Sequence, residues 1–444
     1  MYKLSKYNYS TYNEQGDLLL YNSMAGVRSL IKVGEENRNM VKQVLDKKAE
    51  PSSLPDVVRD RLFHAGILVP EYEDEECRLR SLYLDCVADP SLSLTILPTR
   101  QCNFRCRYCY ESFSDTRMND EVQDALIRWL SGNIAKYQSL HVSWFGGEPL
   151  LELDTILKLS RRMRQICRQH RKAYTASMTT NAYLLDVECF RRLMKENVLY
   201  YQVTVDGPED IHNIQRPLRD GGGSFDRIIK NLEDIRDQVR SGLFCISIRT
   251  NFSRNLVRRI PEYKQFFGLR FGDDPRFRFL IRPAMDWGGP RVDSFRGELL
   301  EEDGLRDIYT AVFHEEPKLH YEYDQILSPG GSVCYAGKQN HYTIMPDGDV
   351  YKCTTDFSLC PEAKVGQMLE GRIKMDPYRC AEWLCNIEHC PNTECFFAPN
   401  CLREHCPAQR VLHRVPGTNC PREKKDLSVI LQIIDAEGQV FKEI

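Results

Sequence analysis

Thirteen of the eighteen cysteines in this 444-residue chain fall in two clusters, and these are the residues with the clearest chemical potential. Cys102, Cys106 and Cys109 form a Cys-x3-Cys-x2-Cys run. Three thiolates at that spacing can converge on one face of a loop, and such soft ligands select zinc, copper(I) or iron–sulfur. Structural zinc normally takes four ligands, and no fourth Cys or His lies nearby. A four-iron cluster on three thiolates would leave one iron open to another molecule. The alternatives are zinc with a remote ligand and unmetallated thiols. The second cluster runs from Cys334 to Cys420 and holds ten cysteines. A further short motif, Gly146-Gly147-Glu148-Pro149, reads either as an ordinary turn or as backbone that a ligand approaches closely.

These residues need a scaffold, and the pattern from Ser91 to Arg282 supplies one. Strands are expected at Leu92–Leu97, Leu140–Phe145, Tyr174–Thr179, Tyr200–Val205, Phe244–Arg249 and Phe277–Arg282. Helical patterns lie between them, the first capped by Asn119. Repeated βα units imply a parallel sheet with right-handed crossovers. Six strands favour an α/β fold built as a partial (β/α)6 TIM-like barrel over a closed eight-stranded one. Ligands in such folds bind at the carboxyl ends of the strands, where the motifs above fall.

Residues 1–88 read as a small winged-helix-like domain, with Glu71–Glu76 as an acidic linker. Residues 89–283 form the core, 284–333 a bridging region, and 334–444 a C-terminal Cys-rich domain. In that last domain metal is expected to stand in for a hydrophobic core. The composition is that of a globular chain, 42% hydrophobic and 28% charged, with a net charge of −3. There is no global field for nucleic acid, no signal peptide and no apolar run long enough for a membrane helix. The expectation is a cytoplasmic chain without nucleic-acid or membrane partners. Clustered thiols in a reducing compartment point to metal rather than to disulfides.

Taken in order, the motifs resemble those of the radical S-adenosylmethionine (SAM) enzymes. That family's CxxxCxxC follows the first strand, with an aromatic residue, here Tyr108, before the last Cys. The resemblance covers about residues 91–283. It implies a [4Fe–4S] cluster on Cys102, Cys106 and Cys109, with SAM on the open iron. It also implies reductive cleavage of SAM to a 5′-deoxyadenosyl radical that takes hydrogen from the substrate. Gly146-Gly147-Glu148 resembles the family's GGE motif, which holds the methionine amino group. Thr180-Asn181 and Asp206-Gly207-Pro208 match at later strand ends. The order Asp-Gly-Pro, His212-x3-Arg216, then Gly-Gly-Ser224-Phe225 occurs in the peptide- and protein-modifying branch. SAM contacts are therefore expected at Tyr108, Gly146, Gly147, Glu148, Asn181, Asp206 and Arg216. A guanidinium at Arg216 fits a carboxylate in a bidentate way, the alternative being a surface ion pair. Arg249 and Asn251 are secondary candidates.

Cys334-x13-Gly348-x4-Cys353 is similar to the opening of the SPASM domain, an extension carrying two auxiliary iron–sulfur clusters. Cys390, Cys395, Cys401, Cys406 and Cys420 follow at spacings somewhat longer than that family's. With Cys385 the total is eight, the number two four-cysteine clusters require. Cys360 or Cys380 could replace Cys385, and a pair of zinc sites is the alternative.

This resemblance implies a maturase acting on a ribosomally made, Cys-containing precursor peptide, with thioether cross-linking as the preferred reaction. The leader would bind the N-terminal domain by strand addition, and a flavodoxin or ferredoxin would supply electrons. The alternative is an anaerobic sulfatase-maturing, formylglycine-generating enzyme. Those enzymes usually begin their cysteine triad near the N-terminus. A non-enzymatic iron–sulfur or zinc protein is the reading from a different class. No general base is identifiable, and no catalytic side chain is assigned.

Overall fold

The computed structural model describes residues 1–287, 291–300, 323–355, 360, 363–369, 372–412, 420–436 and 441–444. Much of the expected bridging region therefore lies outside the described residues. The chain divides into two compact units. One joins Met1–Ala88, Tyr323–Lys338 and Leu384–Ile444; the other joins Asp89–Glu322 and Gln339–Trp383. The expected 334–444 domain is thus shared between the two.

In the first unit, β1 (Tyr2–Leu4) pairs with β5 (Leu68–Pro70), and β2 (Asn8–Tyr12), β3 (Leu18–Asn22) and β4 (Ile31–Val33) form an antiparallel sheet. All five residues of β3 are buried, as its unbroken apolar run requires of a strand covered on both faces. Helices α1 (Glu35–Leu45) and α2 (Asp56–His64) close a core of Leu18, Leu20, Ile31, Val41, Val58 and Leu62. Gly66, at φ +76°, ends α2 in the left-handed conformation expected of a terminating glycine.

The acidic stretch read as a linker instead starts α3 (Glu75–Val87). Asp74 caps that helix, and the buried Glu75 carboxylate accepts hydrogen bonds from the Ser5 hydroxyl and the Lys6 N–H. The 384–411 segment also contributes to an apolar core. Cys385, Ala398 and Leu402 share an apolar cluster with Tyr7, Met24, Leu79 and Val87.

The second unit carries β6 (Leu92–Ile96), α4 (Asp120–Asn133), β7 (Ser139–Trp144), α5 (Leu153–Gln169), β8 (Ala173–Thr180), α6 (Val187–Lys195) and β9 (Val198–Thr204). It continues with α7 (Glu209–Gln215), α8 (Phe225–Gln238), β10 (Cys245–Phe252), α9 (Arg254–Val257), α10 (Ile260–Phe271) and β11 (Phe277–Pro283). The six strands are parallel and lie in sequence order, as a singly wound partial barrel requires. Alternate residues such as Leu140, Val142 and Trp144 are buried under the helices. Those between them, His141 and Ser143, line the polar concave face.

The sheet continues past β6, which the sequence did not suggest. β12 (His341–Ile344) adds parallel to β6, and β13 (Asp349–Tyr351), β14 (Gly366–Leu369) and β15 (Arg372–Met375) follow antiparallel. Gly348 makes the β12–β13 turn at φ +86°. Among the described residues, no helix is long and apolar enough to cross a membrane.

Candidate functional site

The loop after β6 carries the first three cysteines and is held by backbone pairing. Arg105 N–H donates to Pro217 O (2.8 Å), Arg107 N–H to Gln215 O (2.9 Å) and Arg219 N–H to Asn103 O (2.8 Å). The 102–109 loop is thereby fixed against the segment that follows α7. From the other side it is fixed by Gly146 and Gly147. A Cβ at Gly147 would lie 2.2 Å from Gln101 O, and one at Gly146 would lie 2.5 Å from Thr99 O. The Glu148 N–H donates to Gln101 O at 2.8 Å. The two glycines therefore pack against the backbone that leads into Cys102, a second reason for their type besides ligand approach.

Glu148 is fully buried and its carboxylate is fully engaged. It accepts from Thr180 Oγ1 (2.6 Å), Leu150 N–H (3.0 Å) and Asn181 N–H (2.8 Å). Asn181 in turn donates through Nδ2 to Asn103 Oδ1 (2.8 Å), with Cys102 Sγ at 4.0 Å. Ala182 follows at φ +59°, an uncommon conformation for a residue with a side chain.

The ends of β9 and β10 meet the loop at Tyr108. Its hydroxyl donates to Asp206 Oδ2 and accepts from Arg216 Nη1 (2.6 Å) and Asn251 Nδ2 (3.1 Å). Asp206 Oδ1 accepts from Asn251 N–H at 2.8 Å, and Arg216 Nη1 lies 4.0 Å from Asp206 Oδ2. Arg216 is thus no surface ion pair. It is 7% exposed, and its Nε has no hydrogen-bond partner.

Behind it, the Asp206 N–H donates to His212 Nδ1 (3.1 Å), His212 Nε2 meets Ser224 Oγ (3.1 Å), and that hydroxyl donates to Arg216 O (2.8 Å). Only a neutral imidazole protonated at Nε2 satisfies all three bonds. His212 belongs to a motif visible in the sequence, but this link through Ser224 to Arg216 was not read from it.

The electrostatics follow from burial. Burial pushes the Cys102, Cys106 and Cys109 thiols up, Cys109 to about 12, and the Cys106 sulfur raises both of the others further. Arg216 partly offsets this at Cys106. All three thiols are thus held in the neutral form, and a cation among them would favour the thiolates, a condition that a metal cluster meets. Burial also raises Asp206 against the pull of Arg216, and lowers His212, with Arg216 adding to the effect. Glu111, two residues past Cys109, was missed. Burial pushes its carboxyl to about 7 against Arg100, and Oε2 is unpartnered.

The first unit holds a second thiol group. Cys401 is half-buried, its thiol pushed up by desolvation to about 12, and its charged neighbours are Cys395, Cys420 and Cys390. Leu402 and Arg403 follow in successive left-handed conformations (φ +50° and +65°). Lys424 Nζ lies 3.8 Å from Cys420 Sγ and also bonds to Cys395. Lys424, in the first turn of the helix Arg422–Ala436 that follows Cys420, was missed.

Cys385 is buried, with Cys401 among its charged neighbours. Its thiol donates to Leu402 O and Glu404 O, at 3.9 and 3.8 Å. Cys334 and Cys406 belong to the first unit, Cys353 to the second. Among the described residues no cysteine forms a disulfide, and no three His, Cys, Asp or Glu side chains are set around a single metal ion.

The sequence profile of the Radical SAM superfamily matches residues 96–251. The chain is 30% identical over 311 residues to a cysteine-type anaerobic sulfatase-maturating enzyme of Clostridium perfringens, covering 64% of this chain and 80% of the relative. It is 24% identical over 282 residues to a serine-type anaerobic sulfatase-maturating enzyme of Klebsiella aerogenes, covering 61% of this chain and 67% of the relative. The fold is similar to that of native anSMEcpe with bound AdoMet and Cp18Cys peptide. The TM-score is 0.58 at 18% identity, covering 79% of this chain and 99% of that one.

Proposed function

The chain belongs to the radical SAM superfamily, among its peptide- and protein-modifying maturases, and from that premise we propose that it oxidises the side chain of a Cys or Ser in a polypeptide substrate to formylglycine. One observation carries this reading. The 311-residue match to a cysteine-type sulfatase-maturating enzyme is about twice the 156 residues from 96 to 251 that the superfamily shares. It therefore reaches past the SAM machinery common to many activities. Preference thus moves from thioether formation to the formylglycine alternative.

Cys102, Cys106 and Cys109 would hold a [4Fe–4S] cluster, and Arg216, whose Nε has no protein partner, would take the SAM carboxylate. Bound there, cluster and SAM supply a one-electron route to a radical that abstracts hydrogen. The protein's own part is positioning and exclusion of water. Asp206, Tyr108 and Asn251 fix Arg216, and Glu148 fixes Asn181 beside Cys102. Phe295 packs on Tyr108 and Phe104 on Tyr183.

Cys390, Cys395, Cys401 and Cys420 would complete one auxiliary cluster. Cys334, Cys353, Cys385 and Cys406 are the further cysteines expected to hold auxiliary iron–sulfur. Conversion of a Cys side chain to an aldehyde takes up water, releases hydrogen sulfide and frees two electrons. Auxiliary clusters, held by the C-terminal cysteines, would take up the second of these and pass it to an electron-accepting protein.

The test is anaerobic turnover with SAM, reductant and the Cp18Cys peptide. The expected product has lost its sulfur and carries a hydrazine-reactive carbonyl. A product that keeps its sulfur and has lost two hydrogens would instead establish the thioether reading.

A further inference from the structure

The two arginines inside the cysteine loop are held on different terms. Arg107 has a carboxylate: its Nη1 lies 2.5 Å from Glu298 Oε1, and its Nη2 donates to Ser294 O at 2.7 Å. Arg105 Nη1 instead donates to two main-chain carbonyls, Cys102 O (2.8 Å) and Phe104 O (2.6 Å). The Arg105 guanidinium carbon also lies 4.5 Å from the centroid of the Phe113 ring, and that of Arg291 lies 4.4 Å from the same centroid. One aromatic ring thus carries two cations. Arg219 adds a third beside them, its N–H bonded to Asn103 of the loop and its side chain exposed.

The like charge is felt at Arg105. Burial, then Arg291 and Arg219, push its pKa down, while Cys102 and Cys109 pull the other way. Among the described residues no carboxylate pairs with Arg105, Arg219 or Arg291, and the acids nearest in sequence are engaged elsewhere. Asp220 Oδ1 accepts from Gly222 N–H (3.0 Å), and Asp293 Oδ1 lies 3.1 Å from Arg296 Nη2. Glu111 is buried near Arg100. Arg291 Nη1 is itself buried and has no hydrogen-bond partner, the only terminal guanidinium nitrogen in that position among the described residues. A desolvated donor without an acceptor carries a cost that an incoming acceptor removes.

We propose that Arg105, Arg219 and Arg291, gathered around Phe113, form a subsite for a carboxylate of the polypeptide substrate, an Asp or Glu side chain a few residues from the one that is oxidised. The inference rests on the reading that a polypeptide is modified at the three-thiol loop. An extended chain advances about 3.3 Å per residue, so a side chain that meets this loop stands close in sequence to the target. Guanidiniums stacked on a ring keep their edges for an acceptor in their own plane, which a carboxylate matches with two oxygens. Asp220 and Asp293, exposed beside Arg219 and Arg291 in the chain, suit a single acidic side chain and repel a polyanion such as RNA.

The test is fluorescence anisotropy on the reconstituted full chain. Three labelled peptides share one central Cys in a Gly-Ser background and differ only in the residues flanking it, which are Glu, Gln or Lys. The Glu peptide should bind at least tenfold more tightly than the Gln peptide. Equal affinity, or no binding of the Glu peptide, overturns the proposal, and so does a labelled oligouridylate that binds more tightly than the Glu peptide. This comparison needs no variant. Arg219→Glu/Arg291→Glu should reverse the order, so that the Lys peptide binds more tightly than the Glu peptide. A variant in which all three peptides weaken alike would assign these arginines to the fold and overturn the subsite.

Both measurements omit SAM and reductant, so their failure leaves the formylglycine reading standing. Absence of a carbonyl product alongside a retained Glu preference refutes that reading alone.

Discussion

The two thiol groups are built on opposite plans. Cys102, Cys106 and Cys109 sit in a loop above a parallel sheet, beside a buried guanidinium that keeps one donor free. Cys390, Cys395, Cys401 and Cys420 sit in a segment of short turns, next to one lysine. Three thiolates leave a four-iron cluster one position short, and the surrounding strand ends supply the groups to hold what fills it. In the proposed reading, four thiolates saturate the second cluster and leave no iron open. The difference separates a place for chemistry from a place for an electron, in the way that catalytic metal sites stay open and structural ones are closed.

The comparison breaks most sharply at Cys106. Cys106→Ala should reduce SAM cleavage below detection while leaving most of the iron held by the first unit, as measured by 5′-deoxyadenosine yield and iron content. Retained cleavage would put the chemistry elsewhere. Arg216→Lys keeps the charge but loses the second donor, and should weaken SAM binding about 10- to 100-fold, roughly 1.5–3 kcal/mol, by calorimetry. Unchanged affinity would remove Arg216 from the SAM site.

His212 gives a smaller and pH-dependent effect. Burial, then Arg216, hold its pKa well below 6.5 in the folded state, so below about pH 6.5 the unfolded chain binds a proton that the folded chain refuses. Its contribution is therefore present above that pH and is lost as pH falls, by up to about 1.4 kcal/mol per unit. His212→Gln should flatten this part of the dependence of denaturation midpoint on pH, and an unchanged slope would contradict the neutral imidazole. The smallest effect concerns the four-thiol group. Lys424→Met removes a positive charge beside Cys420 and should lower that cluster's reduction potential by on the order of 50 mV, read by titration with EPR detection. The signal from the three-thiol cluster should not move.

Much of this was legible because period and spacing encode it directly. The six parallel strands announce themselves as short apolar runs, and Asn119 caps α4 as expected, its Oδ1 accepting from Val122 N–H at 2.9 Å. Tyr108 and Arg216 were found through the motifs of the resembled family, and Asn181 and Asp206 at strand ends; the structure joins Tyr108, Asp206 and Arg216 and sets Asn181 against Asn103 of the cysteine loop. The parts that were not legible depend on long-range pairing. Nothing local in His341–Ile344 says that it lies beside β6, 248 residues earlier at the His341–Ser93 contact. Nothing in Glu71–Glu76 says that Glu75 is buried against Ser5 and Lys6. Nothing local in the sequence says that the Cys385 thiol donates to the carbonyls of Leu402 and Glu404, which only the fold brings near.

The division of labour between the two thiol groups is tested most directly by adding SAM to the reduced, reconstituted protein and following the EPR spectrum of wild type and Cys106→Ala side by side. The account predicts that SAM changes one signal in wild type, that this signal is missing from Cys106→Ala, and that the signals remaining in the variant do not respond to SAM. A SAM-dependent change in the Cys106→Ala spectrum would contradict it.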